Sequence, residues 1–401
     1  MEQLAEELLE RVAALRPAMA ERVVDQDREG RYPFETMALL ADLGLAGLSI
    51  PTELGGMGLG VEAQLRITEE IARADGSAAL AYSMHRTAGD ILAVLPPFPG
   101  RQRILDEVCK EGAMLCSVAS IPTGDVDSRR SGLVAKDDGD HWLVSGRSGF
   151  ATNSEGSRYI GLFCGLEDVP GVLVAWAPMD APGFTNLGNW AAMGMRSSSS
   201  HDVLLDNVRI PKDETWFVEP DEAIMIRDDN PDRLGQFGIL GVWLGLAQAA
   251  YDFTLSYTAD RFGLMAGAAF SGLGLDKQRN EESWAQIAIG RMDHAMWVGR
   301  ETLYAFARKV DSGTHPFTDV DAIRRERVRL TYQVRLTAEQ VALDALKVCG
   351  AHAYVQSRPL ERIFRDALAG LVMKEKNDQL VQLLGQITVG QHAASTGGPL
   401  A

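Results

Sequence analysis

Cysteine, histidine and aromatic residues are all sparse in this chain: four Cys, seven His and 7% Phe, Trp and Tyr among 401 residues. Cys109, Cys116, Cys164 and Cys349 are scattered without metal or disulfide spacing, each in an apolar run, so buried free thiols are expected and no zinc or disulfide framework. No stretch approaches the roughly 18 uninterrupted apolar residues of a membrane span. The N-terminus, MEQLAEELLERVAALRP, is charged and amphipathic, unlike a secretory leader, which makes the cytoplasm the expected location. Positive charge is also short: 39 Lys and Arg against 55 Asp and Glu leave a formal net charge of -16. Such a balance repels phosphate backbones, and no basic segment is concentrated enough to reverse it, so nucleic acid is a poor partner and none is expected.

What is abundant is apolar content, 46% of 401 residues, enough to fill two or three domains. Apolar residues recur at helical spacing up to about Gly112, as in Leu4, Leu8, Leu9, Val12 and Leu15, and this predicts a helical first domain over residues 1–112. From 113 to 225 the pattern becomes short β-branched and aromatic runs such as HWLVSGRSGFAT and GVLVAWAP, parted by DDGD, EDVPG and DAPG turns, and a β-barrel or sandwich is expected. Residues 226–401 return to helical periodicity in four segments, Leu234 to Thr258, Glu281 to Val310, Asp321 to Val348 and Asn377 to Thr388, which predicts a four-helix bundle. The glycine-rich MAGAAFSGLGLDKQRN, Met265 to Asn280, has no period and is expected as a loop.

Several longer motifs follow this order. PTELGGMGLG, Pro51 to Gly60, is read as a proline turn in which Gly55 and Gly56 permit positive φ before a helix restarts at Val61. LVSGRSGFATN carries an aromatic and a threonine on one strand, and WAAMGMRSSSSHDVLLDNVRIP joins a serine run to a further strand. VALDALKVCGAHAYVQSRPLERIFRD runs from a helix through a small-residue turn into an arginine-punctuated segment ending at Asp366. Together these motifs resemble the acyl-CoA dehydrogenase superfamily of flavoproteins, from about Leu43 to Asp366. The resemblance implies the same helical, β, helical fold, an FAD cofactor, usually a homotetramer or homodimer, an acyl-CoA or other acyl thioester as substrate, and an acceptor such as an electron-transfer flavoprotein.

The resemblance also implies residue roles. Phe150 and Thr152 fall on the aromatic-X-Thr triplet that lies against the flavin ring, where an aromatic covers one face and a hydroxyl tunes its electronics. Ser117 and Val118 fall on a flavin-contacting strand; Val118 stands where a threonine is usual, and Gly124 and Asp125 keep only part of the loop's ending. Backbone N–H groups there still serve flavin oxygens. Arg261 and Phe262, in TADRFG, fall on a motif whose guanidinium reaches the FAD of a neighbouring subunit. Lys347 and Gly350 stand at the turn that packs on its adenosine half, and Asn377 is a further cofactor-binding candidate.

A thioester dehydrogenase needs a carboxylate to take the α-proton. Counting from Arg365 to Ala367 places Lys374 at the usual glutamate position and Glu375 one residue on, while the other base position used in the family falls on Gly235. Glu375 is therefore the candidate base if it lies on a loop; on a regular helix one residue rotates a side chain by about 100°. With Asn377 or Asp378 as an N-cap, the same stretch reads as an exposed helix start. A second reading is a monooxygenase of the same fold, which takes reduced flavin and O₂ and requires a dry pocket with hydrogen-bond donors; His85 and His352 are its candidates beside Thr152. A third is a non-catalytic member of the superfamily.

Overall fold

The structure is a computed structural model and describes residues 2–118, 132–166, 169–220, 222, 237–260, 278–314, 320–373 and 375–390. Five helices come first: α1 (Glu2–Glu29), α2 (Phe34–Asp42), α3 (Val61–Ala74), α4 (Gly76–Val94) and α5 (Pro99–Glu111). Of the stripe predicted along α1, Leu8 and Val12 are buried, Leu9 and Leu15 half-buried and Leu4 exposed; the buried face continues through Met19 and Val23, and α1 packs on α3. Before α3, Gly55 takes φ 94° as the motif predicted. Gly56 does not: it lies flush on the backbone, where a Cβ would sit 2.1 Å from the Ile50 carbonyl oxygen. The doublet therefore meets two requirements, one of backbone conformation and one of close approach. The start of α3 is capped from a distance, as the carboxylate of Asp311 accepts from the N–H groups of Val61 and Glu62 at 2.7 and 2.9 Å.

Among the described residues the middle of the chain forms one sheet of eight strands, β1 (Leu115–Val118), β2 (Leu133–Asp138), β3 (His141–Ala151), β4 (Tyr159–Leu166), β5 (Val169–Pro178), β6 (Phe184–Asn186), β7 (His201–Pro211) and β8 (Thr215–Val218). Their order is β6-β7-β3-β2-β4-β5-β8, with β1 added parallel to β4. β2 and β4 also pair in parallel, and the other pairs are antiparallel. One face buries its own apolar core, including Cys116, Val144, Ile160, Leu162, Val203 and Ile210.

The last part contains α6 (Leu240–Ala259), α7 (Ser283–Asp311), α8 (Val320–Cys349), α9 (Pro359–Leu368) and α10 (Asn377–Thr388). Four of these match the predicted segments; α9 is additional. Pro359 at its first turn supplies a preset φ where a missing N–H costs nothing, and Leu360, Ile363 and Ala367 bury one face. α10 begins at Asn377, where Gln379 Oε1 accepts the N–H of Lys376 at 2.8 Å, so the cap is Lys376, ahead of both Asn377 and Asp378. Helix α6 joins the two helical parts closely. Cβ atoms on Gly241 and Gly245 would meet the α3 backbone at Leu65 and Glu69, at 2.7 and 2.4 Å. Of the four cysteines three are buried, whereas Cys109 is partly exposed. No helix among the described residues is long and apolar enough to cross a membrane.

Candidate functional site

Two features hold three of the predicted residues, Phe150 and Thr152 in one and Glu375 in the other. The first is the end of β3, where a register shift between Ser148 and Ala151 breaks the pairing with β7. Phe150 takes φ 56° there, a conformation rarely adopted by bulky side chains. The bend turns the Phe150 ring outward, 45% exposed, edge-on to Trp190 with centroids 6.0 Å apart. Thr152, two residues on, is buried. Its Oγ1 lies 2.8 Å from Ser200 Oγ, which in turn lies 2.7 Å from Ser198 Oγ. The serine run is thus more than a polar turn: Ser198 and Ser199 also accept the N–H groups of Asn153 and Ser154 through their carbonyls.

Asn153 anchors this bend to the helices. Its side-chain nitrogen donates to the Ala81 carbonyl of α4 at 2.5 Å, and its oxygen accepts from Tyr32 Oη at 2.8 Å. Along α4, Met84 and Thr87 follow Ala81 at successive steps of three residues, a rise of about 4.5 and 9 Å, and both line the second feature.

That feature is a cavity of about 60 Å³ walled by Met84 and Thr87 of α4, Phe237, Ile239, Leu240 and Trp243 at the head of α6, Arg327, Thr331 and Arg335 of α8, and Met373 and Glu375. Glu375 lies between the short turn Ala369–Leu371 and α10, outside any regular helix, and the segment carries its side chain into the cavity wall. There it meets Arg327, with Nη1 3.0 Å from Oε1. Arg335 donates from Nη1 and Nη2 to the carbonyl oxygens of Glu375 and Met373 at 2.6 and 2.7 Å, which fixes the shape of this segment. Arg327, Thr331 and Arg335 escaped the sequence reading although their i, i+4, i+8 spacing lines one face of α8. The stretch RRERVRLTYQVRL is so rich in charge that no single polar stripe stands out from it.

The remaining candidates are placed as follows. His85 is fully buried and is corrected as a catalytic candidate: Leu115 N–H donates to its Nδ1 and its Nε2 reaches the Ala46 carbonyl, both at 2.9 Å. Both ring nitrogens are spent on the backbone, and burial pulls its pKa down to about 4. His352 is exposed in the turn after α8. Lys347 is paired with Asp344 at 3.6 Å and points largely to solvent, and Gly350 takes φ 70° where α8 ends. Asn377 is half-buried, and its Oδ1 has no partner among the described residues. Ser117 and Val118 form β1 beside β4. Arg261, Phe262, Gly124, Asp125, Gly235 and Lys374 lie outside the described residues, as does most of the predicted Met265 to Asn280 loop.

The donor set fits a flavin ring. Phe150 is a half-exposed aromatic, Thr152 two residues on carries a buried hydroxyl, and Ser197 Oγ is buried without a partner among the described residues. Residues 3–109 match the family model for the acyl-CoA dehydrogenase N-terminal domain, and residues 237–372 match that for the acyl-CoA dehydrogenase C-terminal domain. L-evernosamine nitrososynthase of Micromonospora sp. is 27% identical over 382 residues, covering 90% of this chain and 85% of that protein. The mitochondrial short-chain specific acyl-CoA dehydrogenase of Mus musculus is 28% identical over 346 residues, covering 85% and 79%. Among solved structures, KijD3 in complex with dTDP superposes with a TM-score of 0.81 at 26% identity, covering 96% of this chain and 97% of that one.

Proposed function

Because this chain belongs to the acyl-CoA dehydrogenase superfamily of flavoproteins, we propose that it is a flavin-dependent monooxygenase, which takes its flavin reduced and uses O₂ to oxidise a nucleophilic heteroatom of a small substrate. One oxygen atom goes to the substrate and the other leaves as water, with two electrons supplied by the flavin. The observation that carries this reading is the contact between Glu375 and Arg327 at 3.0 Å. A thioester base must accept a proton, and protonating Glu375 would strip Arg327 of its counter-charge beside a second buried guanidinium, Arg335. The pair opposes that step. An oxygenase needs no such base. The nitrososynthase likeness over 90% of the chain supports the same choice.

In this reading Phe150 covers one face of the flavin ring and Thr152 meets its edge, with β1 alongside at Ser117 and Val118. The cavity beyond, walled by Phe237, Leu240 and Trp243, holds the substrate away from water. FAD is the form implied by the superfamily resemblance, with Arg261, Phe262, Lys347, Gly350 and Asn377 proposed for its outer parts; FMN is the rival. Exposed Trp284, Ile287 and Trp297 on α7 are proposed as the contact face of a homodimer or homotetramer.

The test compares two reactions on one preparation. With FAD or FMN and a flavin reductase, substrate-dependent O₂ uptake is expected from a panel of amines and thioethers, and Glu375→Gln is expected to retain it. Anaerobic bleaching of the bound flavin by acyl-CoA thioesters, lost in Glu375→Gln, would instead establish the dehydrogenase.

A further inference from the structure

The cavity beside Glu375 carries the opposite sign of charge to the chain as a whole, whose formal net charge is -16. Its lining holds two guanidiniums, Arg327 and Arg335, against one carboxylate. Arg335 is 5% exposed, and the two carbonyl oxygens it serves fix its plane without neutralising it. Glu375 touches Arg327 instead. Burial and the like charge of Arg327 both depress the proton affinity of Arg335, and the Glu375 carboxylate works against them; an arginine keeps its proton in such surroundings. The Nε–H groups of Arg327 and Arg335 are both buried with no partner among the described residues. Buried donors left unpaired are costly, and a buried charge more so. Both belong to one face of α8, two turns apart with Thr331 between them, on the wall of a cavity that Thr87, Glu375 and apolar groups such as Met84, Leu240 and Trp243 complete.

We infer that this cavity binds the anionic end of a small organic molecule. The ligand group is an oxyanion, a carboxylate, sulfinate or phosphate ester, accepting from Nε of Arg335 and Arg327 while its carbon skeleton lies against the apolar wall. The planar donors of arginine suit such a group better than an ammonium does. A cavity of about 60 Å³ admits a head group of a few non-hydrogen atoms. This inference rests on taking the cavity as the substrate site but not on the oxygenase chemistry: it names what the substrate carries, not what is done to it.

Titration calorimetry on the full-length protein tests it, with butyrate, ethanesulfinate and ethyl phosphate as probes and butyramide as the neutral counterpart of butyrate. At least one anion is expected to bind tenfold or more tightly than butyramide, and the preferred anion identifies the head group. Arg335→Gln is expected to weaken that binding at least tenfold and Arg335→Lys to restore part of it. Equal binding of butyrate and butyramide with no preference for the other anions, no binding by any probe, or anion binding unchanged in both Arg335→Gln and Arg327→Gln would overturn the inference. If Arg335→Gln fails to fold, the wild-type comparison and Arg327→Gln still decide it. Failure of the oxygenase reading would look different: an intact anion preference with no substrate-dependent O₂ uptake.

Discussion

The backbone N–H of Met195 donates to Oδ1 of Asp366 across 2.6 Å, joining the rim of the sheet to α9. Asp366 is fully buried, with Arg362 Nη1 at 3.4 Å from its other oxygen. Burial lifts its pKa to about 6, against the pull of Arg362 and the Met195 bond. Next to it Arg365 bonds Asp27 and Glu361, both at 2.6 Å, and the Met193 carbonyl at 2.8 Å, so helix α1, the sheet and α9 meet at two consecutive residues.

Asp366 binds its proton more tightly folded than unfolded, so its stabilising contribution is complete below about pH 4 and lost as pH rises through about 6. The wild type should therefore gain on Asp366→Asn as the solution is acidified, by roughly 1 kcal/mol between pH 7 and 5. Urea unfolding of both proteins at the two pH values measures this. A difference that is constant or shrinks toward acid contradicts it.

His85 has the opposite sign. Its folded pKa of about 4 lies below the usual 6.5, so its contribution is complete above 6.5 and fades as pH falls toward 4. Because Leu115 N–H donates to Nδ1, the ring is neutral with its proton on Nε2, donated to Ala46. The ring-carbon NMR signal of His85 should stay flat from pH 8 to 5.5, and His85→Leu should cost about 1–3 kcal/mol for each backbone group left unpaired. A midpoint near 6.5 would show that the ring is not held this way.

Gly194 lies against α9 so closely that a Cβ would sit 2.3 Å from the Arg365 carbonyl oxygen and 3.0 Å from the Asp366 nitrogen. Neither is a side chain that can swing away. Gly194→Ala is expected to destabilise by roughly 1–3 kcal/mol or more, read as a fall in Tm by differential scanning calorimetry. An unchanged Tm would mean that the sheet can shift off α9 freely.

Trp297 is 61% exposed on α7 with Ile287 at 60%. If that face joins copies of the chain, Trp297→Asp should lower the mass measured by light scattering to that of a smaller assembly while leaving the circular dichroism spectrum intact. A wild type that is already monomeric would dismiss the interface.

The order of domains was legible because periodicity changes twice, from 3.6 to 2 and back, and the helices from Leu240 to Cys349 carry long apolar repeats. Helix α9 was not: at ten residues, opened by a proline and crowded with arginines, its stripe is too short to register. Phe150 and Thr152 were visible through a motif but the bend between them was not, and the hydroxyls of Ser198 and Ser200 that support Thr152 lie far along the chain, Ser200 48 residues away, and meet it only through strand pairing. His85 was a candidate by residue type alone, and a string of letters does not reveal that two backbone groups occupy both its nitrogens. The reach of Glu375 depended on whether its segment coils or winds, a choice made by Arg335 from forty residues upstream.

The row of hydroxyls from Ser198 through Ser200 to Thr152 has no fixed sense of donation. Turning three protons about their C–O bonds converts the end at Thr152 from giver to receiver without displacing a heavy atom. A neighbour that gains or loses a hydrogen when its redox state changes would find a matching partner on either side of the change.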